Sequence, residues 1–269
     1  MLKVSSIALA LALVLNACSP APQQAAATAE PAVTQSTAST TAAQPWWEDA
    51  VFYQIWPRSF YDTTSDGHGD FNGMTAKLPY LTELGVDAIW LTPMFEVPSY
   101  HGYDFTEFYQ VESDYGSMAD FEHFVQQADA KGIKVILDLV INHISREHEW
   151  FRLSAEGVAP YSDYFIWRKA LPAKGEGWGH AWDTNDLPEA VWHFDERRGE
   201  YYYAAFGATQ PDLNLTHPDV IAEMKKMAKF WLDKGVAGFR LDAVRFVIEN
   251  GPDAQADVAE TIDYWRDFN

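Results

Sequence analysis

Gly238-Phe239-Arg240-Leu241-Asp242-Ala243-Val244-Arg245-Phe246 is the stretch that decides the fold. It reads as a buried strand that delivers a carboxylate and two guanidiniums to its C-terminal edge. Val135-Ile136-Leu137 starts an earlier strand that runs into Asp138 and is followed by Asn142 and His143. Two strands with polar residues gathered at their C-terminal ends point to an α/β protein whose chemistry sits on one rim of a parallel sheet.

Working outward, strand and helix alternate. Val51 to Ile55 reads as a short strand, and Asn72 to Leu84 carries a helical pattern closed by Gly85. Val86 to Leu91 is a second strand, halted by Pro93. Ser117 opens a helix with Asp120 three residues on, a capping-box arrangement, and Phe121, Phe124, Val125 and Ala128 share its inner face. A helix from about His217 to Lys234 buries Val220, Met224, Met227, Ala228 and Trp231, and the strand Val236 to Leu241 follows Gly235. This spacing means parallel pairing with covered faces. Periodicity does not choose between a barrel and an open doubly wound sheet, although no glycine-rich turn follows the first strand to hold a pyrophosphate. Beyond Phe246 the chain reads as a turn and a further helix.

Between His143 and about Thr209 the rhythm lapses. Tyr161 to Trp167, Trp178, Trp182, Trp192-His193-Phe194 and Glu200 to Phe206 crowd aromatics into this stretch, where only Glu200 to Phe206 suggests a strand. A segment so long and so aromatic is expected to be a small inserted lobe that walls one side of a cleft.

The N-terminus carries Lys3 and an apolar run to Leu15, too short for a mature membrane span. It ends in Leu15-Asn16-Ala17-Cys18, which looks like the lipobox of a bacterial lipoprotein, cleaved before Cys18 and acylated on it. Cys18 is the chain's one cysteine, so no disulfide framework is available. With Ser19 next, the resemblance implies a lipid-anchored protein of the cell envelope, at the outer membrane of a Gram-negative bacterium. Ser19 to Gln44 is built of Ala, Thr, Gln, Ser and Pro and cannot bury enough surface to order itself. The expected organisation is a leader at 1–17, a tether at 18–45 and a folded part from 46 onward, with 144–209 inserted between 46–143 and 210–269. A net charge of −20 excludes nucleic acid as a partner, and eleven Trp with thirteen Tyr suit the flat faces of sugar rings.

Asp62-Thr63-Thr64-Ser65-Asp66-Gly67-His68-Gly69-Asp70 sets three carboxylates among glycines and hydroxyls. Such an oxygen-rich, tightly turning loop suits a hard cation such as calcium, in a structural role away from the strand rim.

Asp138-Leu139-Val140-Ile141-Asn142-His143, Gln210-Pro211-Asp212-Leu213-Asn214 and Gly238-Phe239-Arg240-Leu241-Asp242 resemble three conserved regions of the α-amylase family, glycoside hydrolase family 13. Gly85 to Pro93 and His101-Gly102-Tyr103-Asp104 agree with it, and the resemblance covers the chain from about Trp46 to its end. It implies a (β/α)8 TIM barrel with an inserted domain B after strand 3, truncated in this chain after about strand 4. It assigns Asp242 as the nucleophile and Arg240 as the cation that keeps it ionised and oriented. Tyr103 is implied as a stacking platform, His143 and Asp104 as holders of the sugar hydroxyls, and His101 as a neighbour of that subsite. Asn142 corresponds to a position that in relatives supplies calcium or braces the neighbouring loop, with bracing ranked ahead here, and Arg245 is a surface or supporting group. In the calcium loop the implied ligands are Asp62, Thr64, Asp66, Asp70 and the carbonyl of His68, with Thr64 standing where relatives usually have Asn.

The family's general acid, a glutamate ending the fifth strand, and its third carboxylate, an aspartate ending the seventh, have no counterpart after Phe246. The expectation is a fragment that is inactive by itself. For the parent, the expected activity is retaining hydrolysis of α-1,4 bonds in starch-derived maltooligosaccharides, that of an α-amylase. The alternative is an exo-acting α-glucosidase or oligo-1,6-glucosidase, to which Gln210 to Asn214 is similar. A carbohydrate-binding envelope lipoprotein without catalysis is the non-enzyme alternative.

Overall fold

The computed structural model describes residues 44–182 and 186–269; the leader, the lipobox with Cys18, and residues 18–43 of the tether lie outside them. Pro45–Asn269 form one compact unit. Its elements run β1 (Phe52–Ile55), α1 (Phe71–Leu84), β2 (Ala88–Leu91), α2 (Met118–Asp129), β3 (Lys134–Leu139), α3 (Glu149–Ala155), β4 (Trp167–Arg168), β5 (Trp192–Asp195), β6 (Glu200–Tyr203), α4 (Pro218–Asp233), β7 (Gly238–Leu241) and α5 (Ala259–Phe268).

Four strands pair in parallel in the order β1-β2-β3-β7. Within this sheet each strand lies beside the one before it and never returns to the far edge of the first. An open doubly wound sheet makes that return, and a barrel does not. The fold is thus a partial (β/α) barrel, as expected, and its inserted domain is a separate antiparallel sheet in the order β4-β6-β5. The sheet edges show in the burial: β2 and β3 are almost wholly buried, whereas Phe52 on β1 and Leu241 on β7 stand partly in solvent.

The helices start and stop where the local chemistry dictates. Ser117 and Asp120 form a complete capping box on α2. Gly85 ends α1 in the left-handed region at φ 82°, donating its N–H to the last-turn carbonyls of Leu81 and Thr82. α1, α2 and α4 are joined by aromatic contacts between buried faces. Phe71 meets Phe121 at 5.4 Å, Phe121 meets Trp231 at 5.5 Å, and Trp231 meets Phe95 at 5.1 Å. The Trp231 indole N–H, too buried to reach water, donates to the Phe108 carbonyl at 2.9 Å.

The inserted sheet has its own small core of Trp178, Val191, Trp192, Tyr203 and Ala205. Two of its features were not legible. Helix α3 spans only seven residues and draws its N-terminal cap from His148, whose Nδ1 accepts from the Trp150 N–H. On β5 the buried residues are Trp192 and Asp195, which breaks the alternation expected of a strand.

Candidate active site

The register of β3 and β7 sets Asp138 directly beside Arg240. Arg240 Nη1 donates to Asp138 Oδ1 at 2.9 Å and, in a short ion pair, to Asp242 Oδ1. One guanidinium thus bridges the carboxylates of two strands. Arg240 and Asp242 lie two residues apart, on the same face of β7, as the alternation requires. Ala243, the next residue, takes φ 49°, a left-handed conformation uncommon away from glycine, so the chain turns sharply at the nucleophile position. The Arg240 guanidinium also lies 4.9 Å from the Trp90 ring on β2.

Asp138 is almost fully buried and belongs to the site in its own right. Burial pushes its carboxyl up to about 6, with Arg240 acting in the opposite direction. Its second oxygen accepts from the Tyr103 hydroxyl at 3.1 Å, and burial in turn raises the Tyr103 phenol well above its ordinary range. Sequence reasoning had noted Asp138 only as a strand-end residue. Its pairing register with β7 is a tertiary fact, and only the fold brings it to Arg240.

A cleft of about 550 Å³ opens on this group. It is lined by His101, Tyr103, His143, Gln210, Arg240 and Asp242, together with Trp182, Phe206, Ala243 and Phe246. The expected residues Asp242, Arg240, Tyr103, His143 and His101 are therefore brought together. Asp104 is not one of the walls. Its buried carboxylate accepts from the Ser99 hydroxyl and lies 3.8 Å from His101 Nδ1, beneath the cleft surface. Gln210 is an addition: its side-chain nitrogen lies 3.0 Å from His143 Nε2 and 3.4 Å from the Tyr103 carbonyl. Burial drives His143 down to about 3, so the imidazole is neutral and presents one donor and one acceptor.

Behind His143, Asn142 Nδ2 donates to Asp212 Oδ2 at 2.8 Å while the Ala205 N–H donates to Asp212 Oδ1 at 2.9 Å. Asn142 thus ties β3 to the segment that returns from the inserted domain, the bracing role its position suggested. Burial, with no cation alongside, pushes Asp212 up to about 8. Arg245 lies on the surface and pairs with Asp257.

The loop 62–70 is satisfied from within. Asp62 Oδ1 accepts from the N–H groups of Ser65 at 2.7 Å and Thr64 at 2.9 Å and from the Thr64 hydroxyl at 3.2 Å; Asp62 Oδ2 takes the Gly67 N–H at 2.9 Å. Asp66 accepts from the His68 N–H at 2.8 Å. Asp70 is the N-cap of α1, accepting from the Gly73 N–H at 2.6 Å and from Thr63. The His68 ring meets Arg58 and Asp114, each at 2.8 Å. Gly69 leaves no room for a side chain, since a Cβ there would stand 2.1 Å from the Pro57 carbonyl oxygen. Among the described residues no group of three or more His, Cys, Asp or Glu side chains converges as a metal cage. As the loop stands, its carboxylates are turned onto backbone donors and do not fit an ion without rearranging.

Comparison with known proteins agrees with this geometry. The chain is 45% identical over 204 residues to an oligo-1,6-glucosidase of Parageobacillus thermoglucosidasius, covering 75% of this chain and 36% of that one. It is 42% identical over 226 residues to alpha-amylase 3 of Dictyoglomus thermophilum, covering 84% and 41%. Other relatives at similar identity are named alpha-glucosidases, maltases and a trehalose-6-phosphate hydrolase. The crystal structure of Bacillus licheniformis trehalose-6-phosphate hydrolase superposes with a TM-score of 0.77 at 37% identity, covering 84% of this chain and 42% of that one. The chain thus spans well under half the length of each of these proteins. Residues 54–269 match the model of the alpha-amylase catalytic domain, and the chain belongs to that family.

Proposed function

We propose that this chain carries the nucleophile and the inner sugar-binding wall of a retaining, exo-acting α-glucosidase. The observation that carries the reading is the Asp138–Arg240–Asp242 bridge, opening onto a cleft walled by hydrogen-bonding and aromatic side chains. Arg240 holds one Asp242 oxygen, which leaves the other free to attack. The Asp242 oxygen forms a bond to the anomeric carbon as the glycosidic C–O bond breaks, and the departing oxygen takes a proton from a second carboxyl group. Water then gives a proton back to that second carboxylate and attacks the anomeric carbon, the bond to Asp242 breaks, and the sugar leaves with net retention. Asp242 is the one carboxylate among the described lining residues of this cleft, so the proton donor is a residue other than those.

The cleft suits an uncharged sugar. Its guanidinium, Arg240, is already shared by two carboxylates, and nearby Arg245 is paired with Asp257. A sugar phosphate would find no unpaired cation among the described lining residues. Exo-acting α-glucosidase is favoured over α-amylase because relatives at 41–45% identity are named for glucosidase or maltase action, beside an alpha-amylase at 42%.

A 5-fluoro-α-glucosyl fluoride tests the nucleophile directly, since fluoride leaves without a donated proton. An enzyme carrying this chain is expected to gain one fluoroglucosyl group, found by mass spectrometry on the peptide that contains Asp242. Labelling elsewhere, or none at all, overturns the assignment. The mode of action is read from maltoheptaose digested by an enzyme carrying this chain. Glucose from the first minutes supports exo attack, and mixed short maltooligosaccharides support the α-amylase reading.

Two further readings are proposed on sequence support. Calcium binds the loop 62–70 once Asp62 and Asp66 release their backbone donors. Cys18 is acylated and anchors the protein at the outer membrane, which incorporation of labelled palmitate into the full chain, lost in C18S, would test.

A further inference from the structure

The chain holds two Asn-Gly pairs, Asn72-Gly73 and Asn250-Gly251. In such a pair the glycine backbone nitrogen can attack the asparagine side-chain amide, because no Cβ shields it. The two pairs sit in opposite surroundings. Asn72 and Gly73 lie in the first turn of α1, where the Gly73 N–H donates to Asp70, the N-cap, at 2.6 Å. A Cβ on Gly73 would stand 2.0 Å from the Tyr61 carbonyl oxygen, so this helical backbone has no room to turn. Asn250 is exposed in the loop after β7, outside any helix or strand, and its side-chain amide has no hydrogen-bond partner among the described residues. Gly251 takes φ 108°, and a Cβ there would meet nothing within 4 Å. The Gly251 N–H, the group that must lose its proton, donates to the half-buried Glu249 carboxylate at 3.0 Å. Burial raises that carboxyl, which makes its anion a better base.

We propose that Asn250 is a self-modifying site, deamidated through Gly251 with Glu249 as the base, while α1 preserves Asn72. The Gly251 nitrogen bonds to Asn250 Cγ as Glu249 takes its proton. The bond from Cγ to the side-chain nitrogen then breaks, and ammonia leaves with the proton that Glu249 returns. Water opens the resulting succinimide at either carbonyl, leaving aspartate or isoaspartate at position 250. The net change consumes one water and releases one ammonia. Isoaspartate also adds a methylene to the backbone of a loop that is tied to the inserted sheet. Gln255, in that loop, takes the Tyr203 hydroxyl of β6 on Oε1 at 3.3 Å and donates from Nε2 to the Pro252 carbonyl at 3.0 Å.

The test is incubation of an enzyme carrying this chain at mildly alkaline pH, folded and in urea, followed by peptide mass spectrometry with fragmentation that separates isoaspartate from aspartate. In urea the two pairs should react alike. In the folded protein Asn250 should convert at least about tenfold faster than Asn72, whose reaction requires the first turn of α1 to open. E249Q keeps a hydrogen-bond acceptor and loses the base. It should slow Asn250 at least about tenfold in the folded protein and leave the rate in urea unchanged. The comparison of the two pairs uses the wild type alone, so it stands whether or not E249Q folds. Asn250 persisting in the folded protein while the chain in urea converts overturns the site, as do equal folded rates at the two pairs. A folded E249Q that converts as fast as wild type overturns the role of Glu249.

Discussion

The rim of β3 and β7 and the loop 62–70 each gather aspartates, and they handle the charge in opposite ways. At the rim, Asp138 and Asp242 share one guanidinium, and Asp242 faces a cleft. In the loop, Asp62, Asp66 and Asp70 accept from backbone N–H groups, and no cation bridges them. A cation shared between strands leaves a carboxylate oxygen available for chemistry. Backbone donors turn a carboxylate into part of a turn. Asp212 is a third case, buried with an amide and a backbone N–H but no cation, and only there does burial lift the acid to about 8.

The largest effect that follows from this contrast falls on Asp242. D242N in an enzyme carrying this chain keeps the shape but removes the nucleophile and its charge. Losing such a transition-state contact is worth about 3–4 kcal/mol, a fall in kcat of roughly a hundred- to a thousandfold. Oligosaccharide binding should change little, since Tyr103 and His143 remain in the cleft. Near-normal turnover of maltooligosaccharides would make the rim aspartate structural, like those of the loop.

Asp212 comes next. Its folded value of about 8 lies above the ordinary 3.8, so the folded chain binds the proton more tightly than the unfolded one. Its contribution is fully present below about pH 4 and is lost as pH rises toward 8. The urea midpoint of the full chain should therefore decline across that window, and D212N should flatten the decline. An unchanged slope in D212N would mean that Asp212 is ionised in the fold.

The two regions also differ in how far the sequence announced them. Asp242 and Arg240 were legible because alternation on one strand fixes their shared face, and Tyr103 and His143 because they stand in recognisable motifs. Asp138 was visible as a strand end, but its place at Arg240 depends on the β3–β7 register, which no local pattern encodes. The aromatic wall was anticipated as a lobe and no further. Trp182 and Phe206 meet in space but lie 24 positions apart, and β5 lacks a strand's alternation. Asp70 carries two signals, since an N-cap and a calcium ligand use the same residue type before a turn, and its place as the cap of α1 is the one the fold displays. The helix pattern begins at Asn72, which gave the competing signal.

Within the loop, D70A should lower stability by about 1–2 kcal/mol in chemical denaturation, because it uncaps α1 and frees Thr63. This loss should not depend on calcium. A loss that grows in the presence of calcium would make Asp70 a ligand as well as a cap.

The smallest expected effect separates a turn from a metal site. Asp62 is held below the usual carboxylate range, first by the Gly67 N–H and then by those of Ser65 and Thr64. All of these donors are in the exposed part of the loop, so exchanging them for a cation disturbs nothing in the core. Under the calcium proposal, millimolar calcium raises the melting temperature of the wild-type chain by a small amount, a chelator reverses it, and D62A shows no response. Magnesium should not substitute, because this irregular donor set departs from the octahedral geometry it demands. If wild type and D62A melt alike with calcium and with chelator, the loop is a hydrogen-bonded turn alone. The rim would then be the one place where these aspartates work with a cation, and that cation is Arg240.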